Sequence, residues 1–297
     1  MQILITGGKG FLAGRISNYL KKKRLNIILC SRNKTKGLSK IDWDSPKNLN
    51  NLCKKVDVII NCAGLDSHRS KSIKQAKKVN SVYPLNLFKA ASKNKVKLFI
   101  FLSTFHVYKT KNLINELTHL NKNSIYTLSK INGEKNLLQE KSSNTKVLIL
   151  RVCNLFGYPF YKNKNCWNLL INSIVKDLIT KNKFKIKSSR NEYRNYSSIK
   201  SFCEFIYSII NKIDRKNEIP KIINYCSELN VNITEIVKII VKSINDKRNK
   251  ILFKYPNIKK TNKIFFRSKY QNKFKNIRDK YFKEEMRNLI SYSKTFF

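Results

Sequence analysis

Acidic residues are scarce in this chain. Only 18 Asp and Glu stand against 62 Lys and Arg, a formal charge of +44 at pH 7. Such an imbalance signals nucleic acid, an anionic membrane surface or an acidic substrate, or it reflects composition alone. The cations spread along the whole chain, and Lys accompanies abundant Asn and Ile, the residues an AT-rich coding sequence favours. Composition bias is therefore the main cause, and no specific nucleic-acid partner is expected. The field still draws anions, with salt screening it over about 8–10 Å. Long apolar runs are also missing: the longest, around Phe99-Ile100-Phe101-Leu102, is far too short to span a bilayer, so no membrane partner is expected. No Cys-x-x-Cys occurs among Cys30, Cys53, Cys62, Cys153, Cys166, Cys203 and Cys226. An odd, widely spaced set suits neither a disulfide framework nor a zinc site, and reduced thiols, several of them in the core, are expected. Of three histidines, His68 and His119 lack a partner at metal-ligand spacing, so no metal is expected. No internal repeat and no clean linker occur.

What the chain does have begins at once. The apolar run Ile3-Leu4-Ile5 meets Thr6-Gly7-Gly8-Lys9-Gly10-Phe11-Leu12-Ala13-Gly14 and passes into Arg15-Ile16-Ser17-Asn18-Tyr19-Leu20. This is a strand, a glycine turn and a helix start, the form of a dinucleotide-binding site. A side chain there would hold the backbone off a pyrophosphate, whose charge the free N–H groups of the helix start attract. Gly7 makes the turn, Gly10 admits the phosphate, and Ala13 at the third position still permits close helix-to-strand packing. A motif beginning at residue 7 leaves no room for a secretory leader, and the expected location is cytoplasmic.

With 297 residues, 41% of them hydrophobic, the chain has ample core for one large α/β unit or two modest domains. Strand-like runs at Gln2–Thr6, Leu25–Cys30, Val56–Asn61, Val96–Ser103 and Lys146–Arg151 alternate with helical runs at Gly10–Lys23, Ser72–Lys93 and Tyr126–Gln139. That alternation predicts an α/β fold, a doubly wound parallel (Rossmann) sheet with its ligand crevice at the strands' C-terminal ends. The rhythm loosens after Arg151. Helices are expected at Trp167–Ile179, Ile199–Ile213 and Ile233–Ile244, with short strands near Phe184–Ile186 and Ile222–Tyr225. The expected division is a dinucleotide-binding domain over 1–155 and a smaller, mixed substrate-binding region over 156–297. The tail from Lys250 is basic and aromatic (Phe253, Tyr255, Phe265, Phe266, Tyr270, Phe274, Tyr281, Phe282). Such interleaving stacks on single-stranded nucleic acid, but at helical spacing it reads first as core beneath a solvated cationic face.

The chemistry is expected downstream, where Leu102-Ser103-Thr104-Phe105-His106-Val107-Tyr108 is followed by Tyr126-Thr127-Leu128-Ser129-Lys130. Spacing i,i+4 puts Tyr126 and Lys130 one turn apart on one helix face. A phenol is a poor base at neutral pH, but a neighbouring ammonium and an oxidised nicotinamide both favour the phenolate. Tyr126 thereby becomes a usable acid/base, and Thr104 can hydrogen-bond the same substrate oxygen. Tyr19/Lys23, Tyr158/Lys162 and Tyr196/Lys200 share the spacing; order after the glycine turn and a Ser-Thr strand end selects Tyr126. His106 beside Thr104 is either a proton-transfer aid or a hydrogen-bonded loop histidine.

In this order the segments resemble an extended short-chain dehydrogenase/reductase, the epimerase/dehydratase group acting largely on nucleotide sugars. The likeness runs through Thr6-Gly7-x-x-Gly10-x-x-Ala13, Asn61-Cys62-Ala63-Gly64, Val79-Asn80, Ser103-Thr104 with Val107-Tyr108, and Tyr126-x-x-x-Lys130. It continues through Arg151-Val152-Cys153-Asn154-Leu155-Phe156-Gly157-Tyr158-Pro159, Arg194-Asn195-Tyr196, and Ile223-Asn224-Tyr225 ahead of Ile233-Thr234-Glu235. The stretch from Asn165-Cys166-Trp167 through Arg194 points to a subgroup. The resemblance implies catalysis by Thr104, Tyr126 and Lys130, with Lys130 also on the nicotinamide ribose. It implies cofactor contacts from Gly7, Gly10, Phe11, Leu12, Cys62, Ala63 and Gly64, and substrate contacts from Thr104, Asn154 and Arg194, the last two near a nucleotide diphosphate. Asn80 is implied as a structural or water-holding residue. Asp44 either reaches the adenine or is a plain loop carboxylate. A homodimer through the helices Ser72–Lys93 and Tyr126–Gln139 is a further implication, by analogy alone.

Departures from the pattern narrow this. Nucleotide-sugar 4,6-dehydratases of the group carry an acidic pair after the strand-end Thr, where Phe105-His106 stand, which disfavours dehydration. An Asp ending the second strand would bind the NAD ribose; Cys30-Ser31-Arg32-Asn33-Lys34 offers Ser31 and Arg32 to a 2′-phosphate, so NADP is favoured over NAD. After Arg194 the group has Asp-Phe and later an Asp pair, where Asn195-Tyr196 and Ile199-Lys200 stand. The implied function is an NAD(P)-dependent 4-epimerase or 4-keto-sugar reductase on a nucleotide sugar. The alternative is a non-catalytic or weakly catalytic dinucleotide fold that binds RNA or another polyanion through its basic surface.

Overall fold

The structure, a computed structural model, describes every residue except 34, 110, 143, 163–165, 187–191, 214–218, 246–249, 254–262 and 271–278. Lys34, Asn165, Tyr255 and Phe274 of the segments singled out above thus lie outside the described residues. Two compact units result. The first is Met1–Lys109, Glu116–Val152 and Ile206–Asn224; the second is Thr110–Asn115, Cys153–Phe205 and Tyr225–Phe297.

The chain opens with β1 (Gln2–Thr6), α1 (Phe11–Lys22), β2 (Asn26–Ser31), β3 (Ser39–Lys40), α2 (Pro46–Cys53) and β4 (Val58–Asn61). Helix α3 (Ile73–Lys77) runs through a π-turn (Lys78–Val82) into α4 (Tyr83–Lys93), followed by β5 (Leu98–Thr104), β6 (Leu113–Ile114), α5 (Ile125–Gln139) and β7 (Lys146–Val152). Then come β8 (Asn154–Phe156), α6 (Leu170–Lys181), β9 (Lys183–Ile186), β10 (Tyr193–Ser198), α7 (Ile199–Ile210), β11 (Ile222–Tyr225) and β12 (Asn230–Asn232). Last are α8 (Ile233–Ile244), β13 (Lys250–Phe253), β14 (Phe265–Phe266) and α9 (Phe282–Phe296).

The expected parallel sheet is present. Its seven strands run in the order β11-β7-β5-β4-β1-β2-β3, and every pairing from β3 across to β7 is parallel. Every residue of β4 and β5 is buried, as befits strands covered on both faces, and this is why they read as unbroken apolar runs rather than alternating ones. The order reverses at β1, which lies between β2 and β4. Thr6 and Asn61 pair there, so the ends of β1 and β4 flank the topological switch point where such sheets bind ligands.

The single helix expected over Ser72–Lys93 is interrupted, for a local reason. Ser72 caps it by accepting from the Gln75 N–H, but Pro84 has no N–H to give the Asn80 carbonyl four residues earlier. Tyr83 N–H reaches back to Lys78 O, the five-residue step of a π-turn. The freed Asn80 carbonyl faces Gly133 of α5 so closely that a Cβ there would overlap it.

In the second unit β8, β10 and β12 form a small mixed sheet, β10 parallel to β8 and antiparallel to β12. Two corrections belong here. The helix expected from Trp167 begins at Leu170, because Leu169 N–H turns back to Cys166 O and the Trp167 ring packs edge-on against Phe297. The tail is not helical throughout: β13 pairs with β9, β14 with β6, and helix begins only at Phe282, whose ring meets Phe156. All seven cysteines are free thiols, six of them buried, and burial pushes Cys30 and Cys53 up to about 12.

Glycine's scarcity leaves a mark at the helix ends. Arg24, Lys55 and Lys95 hold φ of 59°, 59° and 55° just past α1, α2 and α4, left-handed positions where glycine is the unstrained residue. Replacing any one of them by Gly is expected to stabilise the protein by about 0.5–1 kcal/mol, the relieved strain less the added freedom of the unfolded chain. A urea midpoint that falls in all three variants would refute this account.

Candidate active site

The glycine turn lies against the end of β4. Gly7 has φ +69°, and a Cβ on it would stand 3.0 Å from the Ala63 nitrogen. Gly10 N–H donates to Gly7 O at 2.6 Å, and a Cβ on Gly10 would stand 2.9 Å from that oxygen. Thr6 fixes the approach: its hydroxyl donates to Asn61 Oδ1 at 2.7 Å and accepts from Ala63 N–H at 3.0 Å. Helix α1 starts after Gly10 with no side-chain cap and no acidic residue in its first turn. The first-turn N–H groups, Phe11 and Leu12 among them, are thus left to an anion. Asn61 Nδ2 is buried with no hydrogen-bond partner among the described residues. A backbone cradle that side chains would fill, an uncapped helix start without a carboxylate and an unmatched amide donor fit a dinucleotide.

At the end of β2, Ser31 is buried and its hydroxyl donates to Asn33 O at 2.6 Å, whereas Arg32 is exposed. Gly8 N–H donates to Cys30 O at 2.8 Å, which brings the glycine turn beside this strand end. Asp44 is exposed and already engaged. Its Oδ2 accepts from Lys78 Nζ and from Tyr83 OH, each at 3.2 Å, while the neighbouring Trp43 stacks on Tyr83 at 5.2 Å.

Three consecutive residues at the end of β5 each meet one residue of α5. Thr104 hydrogen-bonds the Tyr126 phenol, Leu102 O accepts from Lys130 Nζ at 2.9 Å, and Ser103 Oγ donates to Glu134 Oε1. The α5 partners stand at i, i+4 and i+8, one helix stripe. Local sequence sets where that stripe begins, because Ser124 and Thr127 form a reciprocal capping box at the helix start. The buried residues of α5 include Ser129, Lys130 and Glu134, an expensive choice for a helix that only packs.

The titrations follow from burial. Tyr126 is pushed up to about 12 by desolvation and further by the Asp66 carboxylate, with the Thr104 hydrogen bond opposing. Desolvation and Asp66 therefore favour the protonated phenol in the protein without cofactor. Lys130 is held down at about 8 by desolvation, against the pull of Glu134 and Cys62, and its ammonium lies 4.9 Å over the Phe101 ring. Asn80 sits behind it. Its amide accepts from Leu65 N–H at 2.8 Å and donates to Leu65 O at 3.1 Å and Ser129 Oγ at 2.9 Å, pinning the loop after Gly64. A Cβ on Gly64 would stand 3.3 Å from Lys130 Nζ, so that loop and α5 are in close register.

His106 is exposed, with its ring 4.3 Å from that of Phe105. In the second unit Asn154 and Arg194 lie on the paired strands β8 and β10, Asn154 opposite Tyr196. Asn154 Nδ2 donates to Asn195 O at 3.0 Å, and the Arg194 fork is held by Glu192 at 2.9 and 3.0 Å. Asn195, standing where the resembled group usually has Asp, ties Ser227 and Asn230. The site also holds residues that sequence reasoning left without a role. Glu134 is forked onto Arg151, with Nη2 to Oε2 at 2.5 Å and Nε to Oε2 at 3.1 Å. Arg151 Nη1 donates to Tyr108 OH at 2.9 Å, which donates to Asn224 Oδ1 at 2.6 Å. A charged residue one turn beyond Lys130 on the same face was the available signal.

Comparison with known proteins places this geometry. The chain is 28% identical over 285 residues to a dTDP-D-glucose 4,6-dehydratase of Dictyostelium discoideum; the match covers 81% of this chain but spans only 61% of that protein's length. Its fold is similar to that of MoeE5 solved with UDP-glucuronic acid and NAD (TM-score 0.83, 14% identity, 100% of both chains). It is equally similar to the UDP-glucose 4-epimerase of Thermotoga maritima solved with UDP-glucose (TM-score 0.82, 16% identity, 99% of both chains). Residues 3–226 match the model of the NAD dependent epimerase/dehydratase family, and with the Rossmann sheet, the glycine cradle and the Thr104–Tyr126–Lys130 set in place, the chain belongs to that family.

Proposed function

We propose that the protein is an NAD(P)-dependent enzyme that moves a hydride at a sugar carbon of a nucleotide-activated sugar, as a 4-epimerase or a 4-keto-sugar reductase. One observation carries this. Thr104 hydrogen-bonds the Tyr126 phenol, and one turn along the same helix the buried Lys130 ammonium lies beside Gly64, in the loop against which the Gly7 turn is pressed. A bound nicotinamide supplies the hydride donor and acceptor, and in its oxidised form a positive charge that favours the phenolate. Tyr126 then takes the proton from the substrate hydroxyl, or returns it, at the oxygen on the reacting carbon. Thr104 hydrogen-bonds that same oxygen and holds it in line. Lys130 binds the nicotinamide ribose, and its charge favours the phenolate once cofactor is in place.

Gly7, Gly10, Phe11 and Leu12 serve the pyrophosphate, with Cys62, Ala63 and Gly64 along the nicotinamide side. Asn154 and Arg194 hold the substrate's diphosphate, for which Arg194 exchanges its fork with Glu192. Ser31 and Arg32, at a strand end without the Asp that would bind an NAD ribose, favour NADP, although the similar MoeE5 was solved with NAD. The UDP-sugars in the two similar structures support a nucleotide sugar as substrate. Dehydration, the activity named for the Dictyostelium relative, needs an acid and a base to remove water across two sugar carbons. Phe105 and His106 occupy the positions after Thr104, so that route is disfavoured.

Tyr126→Phe is expected to lower kcat by about 10²–10⁴-fold while leaving NADPH affinity within about twofold, since the ring stays and only the proton carrier goes. Unchanged turnover, together with tight RNA binding of steep salt dependence, would favour a polyanion-binding scaffold instead. Arg32→Ala should weaken NADPH by about tenfold, the loss of one charged hydrogen bond, without affecting NADH. Equal weakening of both would remove the NADP preference. With 4-keto and 4-hydroxy nucleotide sugars, stoichiometric NADPH loss identifies a reductase and interconversion without loss an epimerase. A 4-keto-6-deoxy product would overturn the exclusion of dehydration.

A further inference from the structure

We infer that Glu134, through its buried pair with Arg151, is a positioning residue that keeps the Lys130 ammonium charged and seated on β5. This rests on the reading of Lys130 as the cofactor-ribose lysine. Glu134 and Lys130 are one turn apart on α5, 2% and 6% exposed, and are anchored to adjacent residues of one strand, Ser103 and Leu102. Arg151 comes from β7, paired beside β5 with Ser103 opposite it. The carboxylate therefore has partners on two neighbouring strands, Ser103 of β5 and Arg151 of β7, which a helix in another register would not supply.

The groups facing Lys130 make Glu134 the main support of its charge. From β5 come only a carbonyl and the Phe101 ring. The π-turn offers the neutral Asn80 amide near Gly64, the loop after β4 offers the Cys62 thiol, and α5 itself offers Tyr126 and Glu134. Asp66 acts on Tyr126, and its own carboxylate is taken by Arg69 at 2.9 Å. Desolvation already brings Lys130 to about 8, close enough to neutrality that removing one buried anion moves it across the working range.

The Lys130 titration can be read directly, without substrate or cofactor, as the pH dependence of its acetylation by acetic anhydride, resolved by peptide mass spectrometry between about pH 6 and 10. Glu134→Gln is expected to lower the midpoint by about one pH unit. Because that variant strands Arg151, the double variant Glu134→Gln/Arg151→Gln removes both charges and should shift it in the same direction. Ser103→Ala, which keeps the carboxylate, should leave it in place. An unmoved midpoint in either folded Glu134 variant would overturn the inference. NADPH titration across the same pH range then tests the link to the cofactor: affinity should fall at a lower pH in the variants, and an unchanged fall would also overturn it. Failure of the wild type to bind NAD(P) would defeat the functional reading alone, since the acetylation midpoint still judges Glu134.

Discussion

The structure depends on the register between the last turn of β5 and one stripe of α5. Leu102, Ser103 and Thr104 are consecutive, so one register of α5 serves their contacts with Lys130, Glu134 and Tyr126. A strand advances about 3.3 Å per residue and a helix about 6 Å per four residues. Three rungs therefore fit only because the middle strand residue reaches the far helix position while its neighbours hold the two nearer ones. Sliding α5 by one residue would rotate the stripe by about 100° and lose all three contacts. The capping box of Ser124 and Thr127 prevents that slip from the front. Gly133 prevents it from the side, since only a residue without Cβ lets the π-turn carbonyl of Asn80 pass.

The same register decides the electrostatics. Burying Lys130 and Glu134 on one helix face is costly, and the cost is offset only because Arg151 and Ser103 saturate the carboxylate and Leu102 takes the ammonium. Removing one member of such a buried pair typically costs about 3–5 kcal/mol, a large part of a domain's total stability of about 5–15 kcal/mol. The π-turn belongs to the same arrangement. Pro84 frees the Asn80 carbonyl, the turn carries the Asn80 amide to Leu65 and Ser129, and the Cys62–Leu65 loop is thereby held between the glycine turn and Lys130.

Much of this was legible in the chain because it is written locally. The parallel sheet followed from unbroken apolar runs between helical ones, and the glycine turn from a strand, three glycines and a helix start. Less local features were not legible. The π-turn needs Pro84 read against Gly133, some fifty residues later. Glu134 is an ordinary acid until Arg151 and Ser103 are seen beside it. Burial and Asp66 raise the phenol of Tyr126, and neither desolvation nor a field from another loop is visible in a Tyr-x-x-x-Lys spacing. In the second unit, short strands such as β13 and β14 gain their identity from partners far away in sequence, so an aromatic, basic tail resembled a helix.

Composition and structure have pulled in opposite directions along this chain, and where each prevails is instructive. Lysine and arginine occupy the left-handed positions after α1, α2 and α4, where a side chain costs about 1–2 kcal/mol of backbone strain and the residues are exposed. Glycine persists at Gly7 and Gly133, where a Cβ would strike backbone that cannot move without undoing the cradle or the π-turn. A side chain is accommodated at those helix ends at a cost in strain, whereas at Gly7 and Gly133 it would meet backbone. Thr104, Tyr126, Lys130 and the Glu134–Arg151 pair belong with these glycines, because each is fixed by atoms on more than one element.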